Sequence, residues 1–228
     1  MKNYLAKVTN FWDEDRSLTV MFVLLMSFIF LLVPALNPGR FGQLLVKIVY
    51  SAMLLTAIIS VANNKRFVTV VSISALVSLF INWLSDIEPT RIVLIAHDLG
   101  SIFFDAFFAW AILVKTFKQG EITYQRIEGS IVVYLLLGLI FASVFHAVYL
   151  FAGPTSFNNI KGDNFKEFLY FSFTSLTTMG YGDITPVHPL ARSLANFEAL
   201  MGQLYPAILI ARLVSMEFDA SVKKKERK

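Results

Sequence analysis

Hydroxyl residues and glycines are concentrated in "SLTTMGYGD", residues 175 to 183, within a chain that is otherwise apolar. No acidic or basic side chain precedes Asp183 in this stretch. Gly180 and Gly182 permit backbone angles that other residues avoid, so successive carbonyl groups can face the same way. A row of carbonyl oxygens without an anionic side chain is a ligand set for a partly dehydrated alkali cation. The stretch therefore predicts a cation site built from backbone.

The composition indicates a membrane protein. Of the 228 residues, 56% are hydrophobic and 16% are charged, whereas soluble domains carry about 25% charged residues. The absence of cysteine excludes disulfides and thiolate metal sites, and the three histidines show no metal-ligand spacing. No cofactor is expected. The net charge of +4 lies mainly at the ends of hydrophobic segments, which suits lipid headgroups better than nucleic acid.

Six apolar runs are long enough to cross a membrane, which needs about 20 residues per helix. Five are plain, and the sixth is interrupted by polar residues; they cover roughly 18–36, 43–62, 67–84, 91–114, 129–152 and 189–216. The fold class predicted is an all-α membrane protein. Placing the N-terminus in the cytoplasm puts most of the 20 Lys and Arg residues inside. We therefore expect a multi-pass protein of the cell membrane with both termini cytoplasmic.

A shorter helix is predicted between the fifth and sixth runs. Asp163 and Asn164 precede an apolar stretch, and Glu167 follows Asn164 by three residues, as in a capping box. A helix from about 165 to 177 would be ~20 Å long, enough to reach halfway into the bilayer. Non-helical backbone at that depth is tolerated only inside protein or along a water-filled cavity. The pattern predicts a re-entrant pore helix followed by a filter.

The residues Thr178, Met179, Gly180, Tyr181 and Gly182 resemble the selectivity-filter signature of potassium channels. Met179 stands where that family usually has Val or Ile. The resemblance extends from the fifth run to the end of the chain and is closest to small bacterial ion-channel proteins of the two-transmembrane pore type. It implies K⁺ bound by the backbone carbonyls of these residues, and a homotetramer in which four filters surround one pore.

The resemblance also implies supporting roles around the filter. Thr178 would contribute both its hydroxyl and its carbonyl to the innermost ion site. Tyr170 and Phe171 occupy positions where related channels often carry an aromatic cuff that receives Tyr181; the alternative is that both simply face lipid. Asp183 would order the outer mouth through hydrogen bonds, the alternative being a solvated carboxylate.

The sixth run carries a candidate gating hinge. Gly202 lies where related channels have a hinge glycine on the inner helix. Pro206 clashes with the carbonyl of Gly202 and offers it no N–H, which predicts a bend below the cavity. The alternative for Gly202 is a small residue that lets helices pack closely.

Ionisable residues within apolar runs usually face the interior of a helix bundle. Asp98 and Asp105 share a helix face and have Lys47 as a candidate partner, which favours a structural pair over proton or ion sensing. His146 and Glu198 lie at similar depths and are predicted to pair behind the pore helix. The alternative is that each separately bonds a backbone carbonyl or a hydroxyl of the pore helix.

Four segments are predicted. Residues 1–114 form a four-helix transmembrane domain without the arginine ladder of a voltage sensor, so voltage dependence should be weak. Residues 115–128 form a cytoplasmic linker, either an interfacial helix or a plain polar loop. Residues 129–217 form the pore domain, and residues 218–228 form a basic tail that rests on anionic lipid.

The sequence thus favours a potassium-selective channel that is not an enzyme. A weakly selective monovalent cation channel is the alternative if Met179 loosens the filter. A secondary transporter would show broken helices in two repeats, and the sequence shows one broken element. An intramembrane enzyme would need a nucleophile-and-base or metal-ligand pair, and no predicted helix carries one.

Overall fold

Helices dominate the computed structural model, which describes residues 14–33, 40–60, 65–87, 90–117, 124–162 and 164–226. In chain order the helices are α1 (Glu14–Ser27, extended by a π-helical turn over Phe28–Leu32), α2 (Arg40–Ser60), α3 (Lys65–Ile87), α4 (Arg91–Thr116), α5 (Tyr124–Ala152), α6 (Phe165–Leu176) and α7 (Pro189–Glu226). Two short strands, β1 (Phe157–Asn158) and β2 (Thr185–Pro186), pair antiparallel.

Three helices in the described ranges are long and apolar enough to cross a membrane, over Arg91–Val114, Arg126–Ala152 and Pro189–Met216. Helices α1 to α3 contribute shorter apolar stretches, over Leu18–Leu32, Leu44–Ile58 and Thr69–Leu84. Each of these six helices coincides with a predicted apolar run. Continuous helix is expected there because a lipid-exposed backbone has to satisfy its own hydrogen bonds.

Helix α5 is the central element of the fold. Helices α1 to α5 form a ring of neighbours in which α1 packs against both α2 and α5, and α4 packs against both α3 and α5. Helices α6 and α7 pack on α5 from outside this ring. As a result 67% of the apolar span of α5 is buried, compared with 11% of the span of α7. The last helix leaves most of its surface uncovered by its own chain.

One apolar core joins the first four helices to α5. Its fully buried members include Leu25 of α1, Leu54 of α2, Val71 of α3, Phe108 of α4 and Leu136 of α5. Because these side chains belong to a single cluster, the predicted N-terminal segment and the outer helix of the predicted pore segment fold against each other.

Two helix boundaries differ from the expected ones. Helix α5 begins at Tyr124, within the predicted linker, so the part of the linker from residue 124 onward belongs to α5; residues 118–123 lie outside the described ranges. Helix α7 continues to Glu226 through most of the predicted basic tail. No Gly or Pro follows Pro206 in α7, and Ala, Lys and Glu are strong helix formers, so nothing ends the helix earlier.

Candidate functional site

Helix α6 enters the protein without crossing it. Its N-cap is Asn164, whose side-chain oxygen accepts a hydrogen bond from the backbone N–H of Lys166 at 3.2 Å. The predicted cap residue is therefore in place, while Asp163 lies outside the described residues. Twelve residues give a helix of about 18 Å, too short to span a bilayer. One face is buried, through Phe168, Leu169, Phe171, Ser172, Thr174 and Leu176.

The chain folds back along the end of α6 immediately after Leu176. Three hydrogen bonds hold this reversal: the Thr177 hydroxyl to the Phe173 carbonyl (2.6 Å), the Thr178 N–H to the Ser175 carbonyl (2.9 Å) and the Gly180 N–H to the Thr174 carbonyl (3.2 Å). The residues after α6, which include the predicted filter segment 178–182, are therefore held by hydrogen bonds to the last turn of α6.

The sign of φ alternates along residues 178–182, the predicted filter segment. Thr178, Gly180 and Gly182 have positive φ angles of 58°, 55° and 78°, and the intervening Met179 and Tyr181 do not. Alternating left- and right-handed residues turn successive N–H groups to one side of a chain and the carbonyls to the other. A Cβ built on Gly180 has no neighbour within 4 Å, so backbone conformation and not lack of space requires glycine there.

The outer end of the segment is tied to the loop before α6. Strands β1 and β2 pair Phe157 with Pro186, and the Asn159 side chain donates a hydrogen bond of 2.7 Å to the Asp183 carbonyl. The Tyr170 hydroxyl donates to the Asp183 carboxylate. This hydrogen bond raises the pKa of Tyr170 above its ordinary value, because loss of the proton would break it.

The aromatic residues near the segment differ in their surroundings. Phe171 is buried, with its ring centroid 4.8 Å from that of Phe145 and 5.5 Å from that of Phe157. It fills an aromatic cluster between α6, α5 and β1. Tyr181 is 65% exposed, and Tyr170 is also open to solvent. That Tyr170 and Phe171 form a cuff that receives Tyr181 stays a prediction.

A cavity of about 480 Å³ opens beside the filter segment. Thr174, Thr178 and Gly180 line one wall, and Arg192 and Asn196 of α7 line another. In the described part of the chain no three His, Cys, Asp or Glu side chains converge as metal ligands. The oxygen atoms that line this cavity are those of the backbone, of the serine and threonine hydroxyls and of the Asn196 amide.

The predicted pairing of His146 with Glu198 is wrong. The Nδ1 atom of His146 lies 2.8 Å from the Oδ2 atom of Asp98, on α4. Glu198 instead hydrogen-bonds to Ser172 of α6, at 2.5 Å. The physical reason is direction: the His146 side chain points toward α4 and the Glu198 side chain points toward α6. For Glu198 the alternative of a pore-helix hydroxyl is the arrangement found.

The acidic residues of α4 are buried, with Asp98 and Asp105 only 1% and 6% exposed. Asp98 has His146 as its partner rather than the predicted Lys47, and the Nδ1 atom of His97 lies 3.5 Å from its other oxygen. Lys47 donates to the Asn82 carbonyl at 3.1 Å. Asp98 of α4 is therefore paired with a residue of α5, across the boundary between the first four helices and α5.

Gly202 is the point where α7 touches the end of α6. A Cβ on Gly202 would lie 1.8 Å from the carbonyl oxygen of Leu176. No side-chain atom can come so close to a backbone oxygen, so this position requires glycine. Helix α7 remains a single helix through Pro206. Close packing therefore accounts for Gly202 without a hinge, and the hinge itself remains a prediction.

Some contacts that hold the pore helix have little signal in the sequence. A Cβ on Gly138 of α5 would lie 2.5 Å from the Phe173 ring, and the Tyr134 hydroxyl donates to the Leu176 carbonyl at 3.3 Å. The glycine within a long apolar helix was an available signal for close packing. The tyrosine was not, because a tyrosine within an apolar helix does not indicate which backbone group its hydroxyl will meet.

Comparison with known proteins concerns the C-terminal part of the chain. The family model described as "Ion channel" matches residues 129–218. The inward rectifier potassium channel Kirbac3.1 of Paramagnetospirillum magnetotacticum is 35% identical over 72 residues, which are 32% of this chain and 24% of that one. Residues 129–218 therefore match an ion-channel family, and part of the chain is similar to a potassium channel.

The chain is also similar to two proteins named LctB. That of Bacillus caldotenax is 34% identical over 88 residues, 36% of this chain and 64% of its own length. That of Geobacillus stearothermophilus is 38% identical over 61 residues, 27% of this chain and 45% of its own length. The chain thus spans less than two thirds of each of these relatives. No solved structure matches it significantly.

Proposed function

We propose that this protein is a potassium-selective channel that conducts K⁺ passively through a filter of backbone carbonyls. The observation that carries the proposal is the alternation of φ over Thr178 to Gly182, at the end of a capped half-length helix. At membrane depth such backbone is tolerated only inside protein or along a water-filled cavity, and aligned carbonyls can replace the hydration shell of K⁺. The relative from P. magnetotacticum, an inward rectifier potassium channel by name, supports the same ion.

A homotetramer follows from the number of filters. One chain supplies one row of carbonyls, and four rows around an axis enclose an ion. Two observations support association through α7 and the filter. Only 11% of the apolar span of α7 is buried in its own chain, and large side chains such as Leu204, Ile208 and Val214 are exposed on it. The cavity beside Thr178 offers space for side chains of a neighbouring chain.

We further propose six membrane spans, with the three longer helices joined by α1 to α3, and both termini in the cytoplasm of a cell-membrane protein. The basic tail would then meet anionic headgroups. Voltage dependence is weak in this proposal, because α4 carries no basic ladder. Pro206 would bend α7 during gating, since its ring removes one hydrogen bond from the helix.

A weakly selective cation channel is the second candidate, favoured by one observation. The Met179 side chain is 60% exposed at a position inside the filter segment. A long flexible side chain there packs less rigidly than a β-branched one, and a filter that flexes discriminates less between K⁺ and Na⁺.

Reconstitution into planar bilayers tests both candidates. With K⁺ on one side and Na⁺ on the other, a K⁺-selective filter gives a reversal potential strongly biased toward K⁺. A value near zero would support the weakly selective channel, and an absence of passive current would refute both. Met179→Val is the matched variant: selectivity that rises with this change assigns the loosening to Met179.

A further inference from the structure

Glu198 is a buried carboxyl group for which conduction through carbonyls supplies no role. It is fully buried, at 0% exposure, nine residues after the start of α7. In the described part of the chain no ion pair includes it, and its Oε2 atom has no hydrogen-bond partner. Its one hydrogen bond joins Oε1 to the Ser172 hydroxyl at 2.5 Å.

The number of hydrogen atoms available at this contact determines whether Glu198 is protonated. The Ser172 oxygen also lies 2.7 Å from the Gly138 carbonyl, an acceptor that carries no proton of its own. A serine hydroxyl has one hydrogen, and it cannot serve two acceptors at these distances. If Ser172 donates to Gly138, the proton between Ser172 and Glu198 belongs to the carboxyl group.

The alternative state is physically costly. An ionised Glu198 would leave one oxygen without any donor and the other with a shared hydrogen, in a site without a cation. Isolated buried carboxylates are among the most unfavourable groups in a protein interior, and a neutral acid avoids that penalty. The hydroxyl of Tyr134 donates to the Leu176 carbonyl and is therefore not a donor to Glu198.

We infer that Glu198 is held as a neutral acid that donates its proton to Ser172, which in turn donates to the Gly138 carbonyl. This chain of two hydrogen bonds joins α7, α6 and α5 at one buried point. Ser172 lies four residues before the end of the pore helix, so the chain fixes the helix that supports the filter. Glu198 is then a positioning residue, and its role in conduction rests on the proposed channel function.

Infrared spectroscopy of the reconstituted protein tests the proton directly. The difference spectrum between the wild type and Glu198→Gln should show loss of a protonated-carboxyl C=O band, and Ser172→Ala should shift that band toward the frequency of a free acid. Loss of carboxylate bands instead would overturn the inference. Glu167→Gln, a matched change of the other acid near the pore helix, should leave the protonated band in place.

Conservative and disruptive variants test the positioning role. Glu198→Gln retains a donor for Ser172 and should keep tetramer stability and K⁺ flux close to those of the wild type. Glu198→Leu removes the donor and should lower the midpoint temperature of tetramer dissociation by several degrees. If Gln is as damaging as Leu, the charged form is required and the inference fails. The infrared and stability measurements need no current, so their outcome stands apart from that of the channel proposal.

Discussion

The Nδ1 atom of His146 lies 2.8 Å from the Oδ2 atom of Asp98, which ties α4 to α5 inside the protein. The His146 ring also packs on Phe168 of the pore helix, with centroids 5.1 Å apart. A residue of the first four helices thus reaches the pore helix through a single intervening side chain.

Breaking this contact should be strongly destabilising. Removing one partner leaves the other buried without compensation, a change that typically costs about 3–5 kcal/mol. We expect Asp98→Leu and His146→Leu each to lower the free energy of unfolding by that order, and the double variant by less than their sum. Denaturant titration of the four proteins in detergent measures the coupling. Additive losses would mean that the two side chains do not stabilise each other.

Gly202→Ala should prevent normal packing of the pore helix. The new methyl group would overlap the Leu176 carbonyl oxygen at 1.8 Å, and this neighbour is backbone that cannot rotate away. Overpacking of this kind costs about 1–3 kcal/mol or more, and we expect loss of tetramers in size-exclusion chromatography. Gly100→Ala is the matched control, because the nearest atom to its Cβ is 3.6 Å away on a flexible side chain. A stable Gly202→Ala tetramer would contradict the close approach.

Gly180→Ala should abolish K⁺ current through backbone strain alone. Its φ of 55° is costly for alanine, by roughly 1–2 kcal/mol, although its Cβ would meet nothing within 4 Å. Gly162→Ala has the same two properties, with a φ of 75° and open space, but lies in the outer loop. We expect similar losses of stability from both changes and loss of current from Gly180→Ala alone. Equal currents in the two variants would show that conduction does not depend on the backbone conformation at Gly180.

Open probability should vary little with membrane potential. Steep gating needs several charges moving through the field, each contributing ~2.3 kcal/mol per 100 mV. Arg91, the basic residue at the start of α4, donates hydrogen bonds to the carbonyls of Leu150 and Phe151 at the end of α5. A charge anchored in this way does not cross the membrane. Single-channel recording over a range of voltages checks the prediction, and a steep sigmoid would contradict it.

Tyr170→Phe should loosen the outer mouth of the filter. It removes the hydrogen bond from the Tyr170 hydroxyl to Asp183, and we expect faster decay of current during sustained opening. The bond raises the pKa of Tyr170, so its stabilising effect is complete below the ordinary tyrosine pKa of about 10 and is lost as pH rises through the raised value. The difference between Tyr170→Phe and wild type should therefore disappear at strongly alkaline pH. A difference that persists there would assign the effect to packing of the ring.

The backbone conformation of residues 178–182 was predictable because it depends on local residue types. Two glycines at alternate positions and a capped helix of half-membrane length are written in consecutive residues, and the structure has the cap at Asn164 and positive φ at both glycines. The partners of His146 and Glu198 were not predictable from the same kind of pattern. Sequence spacing gives depth along a helix at 1.5 Å per residue, but the direction in which a side chain points depends on how the helices pack.

Gly202 shows the same limit in another form. A glycine in the last helix is compatible with a hinge and with close packing, and the two differ only in what lies opposite. The backbone of Leu176, which precedes Gly202 by 26 residues, occupies that position. The packing of α6 on α7 brings Gly202 and Leu176 together, and no pattern in the sequence predicts this contact.

The burial of α5 within its own chain has a consequence for the environment of the pore. Helices α1 and α4 flank α5 and share its core, so this side of α5 meets protein where it would otherwise meet lipid. In the proposed channel, a change in bilayer thickness or lipid composition would act first on the surrounding helices and would reach the filter through contacts such as that of Asp98 with His146. We therefore expect the first four helices to separate the ion pathway from the bilayer on this side.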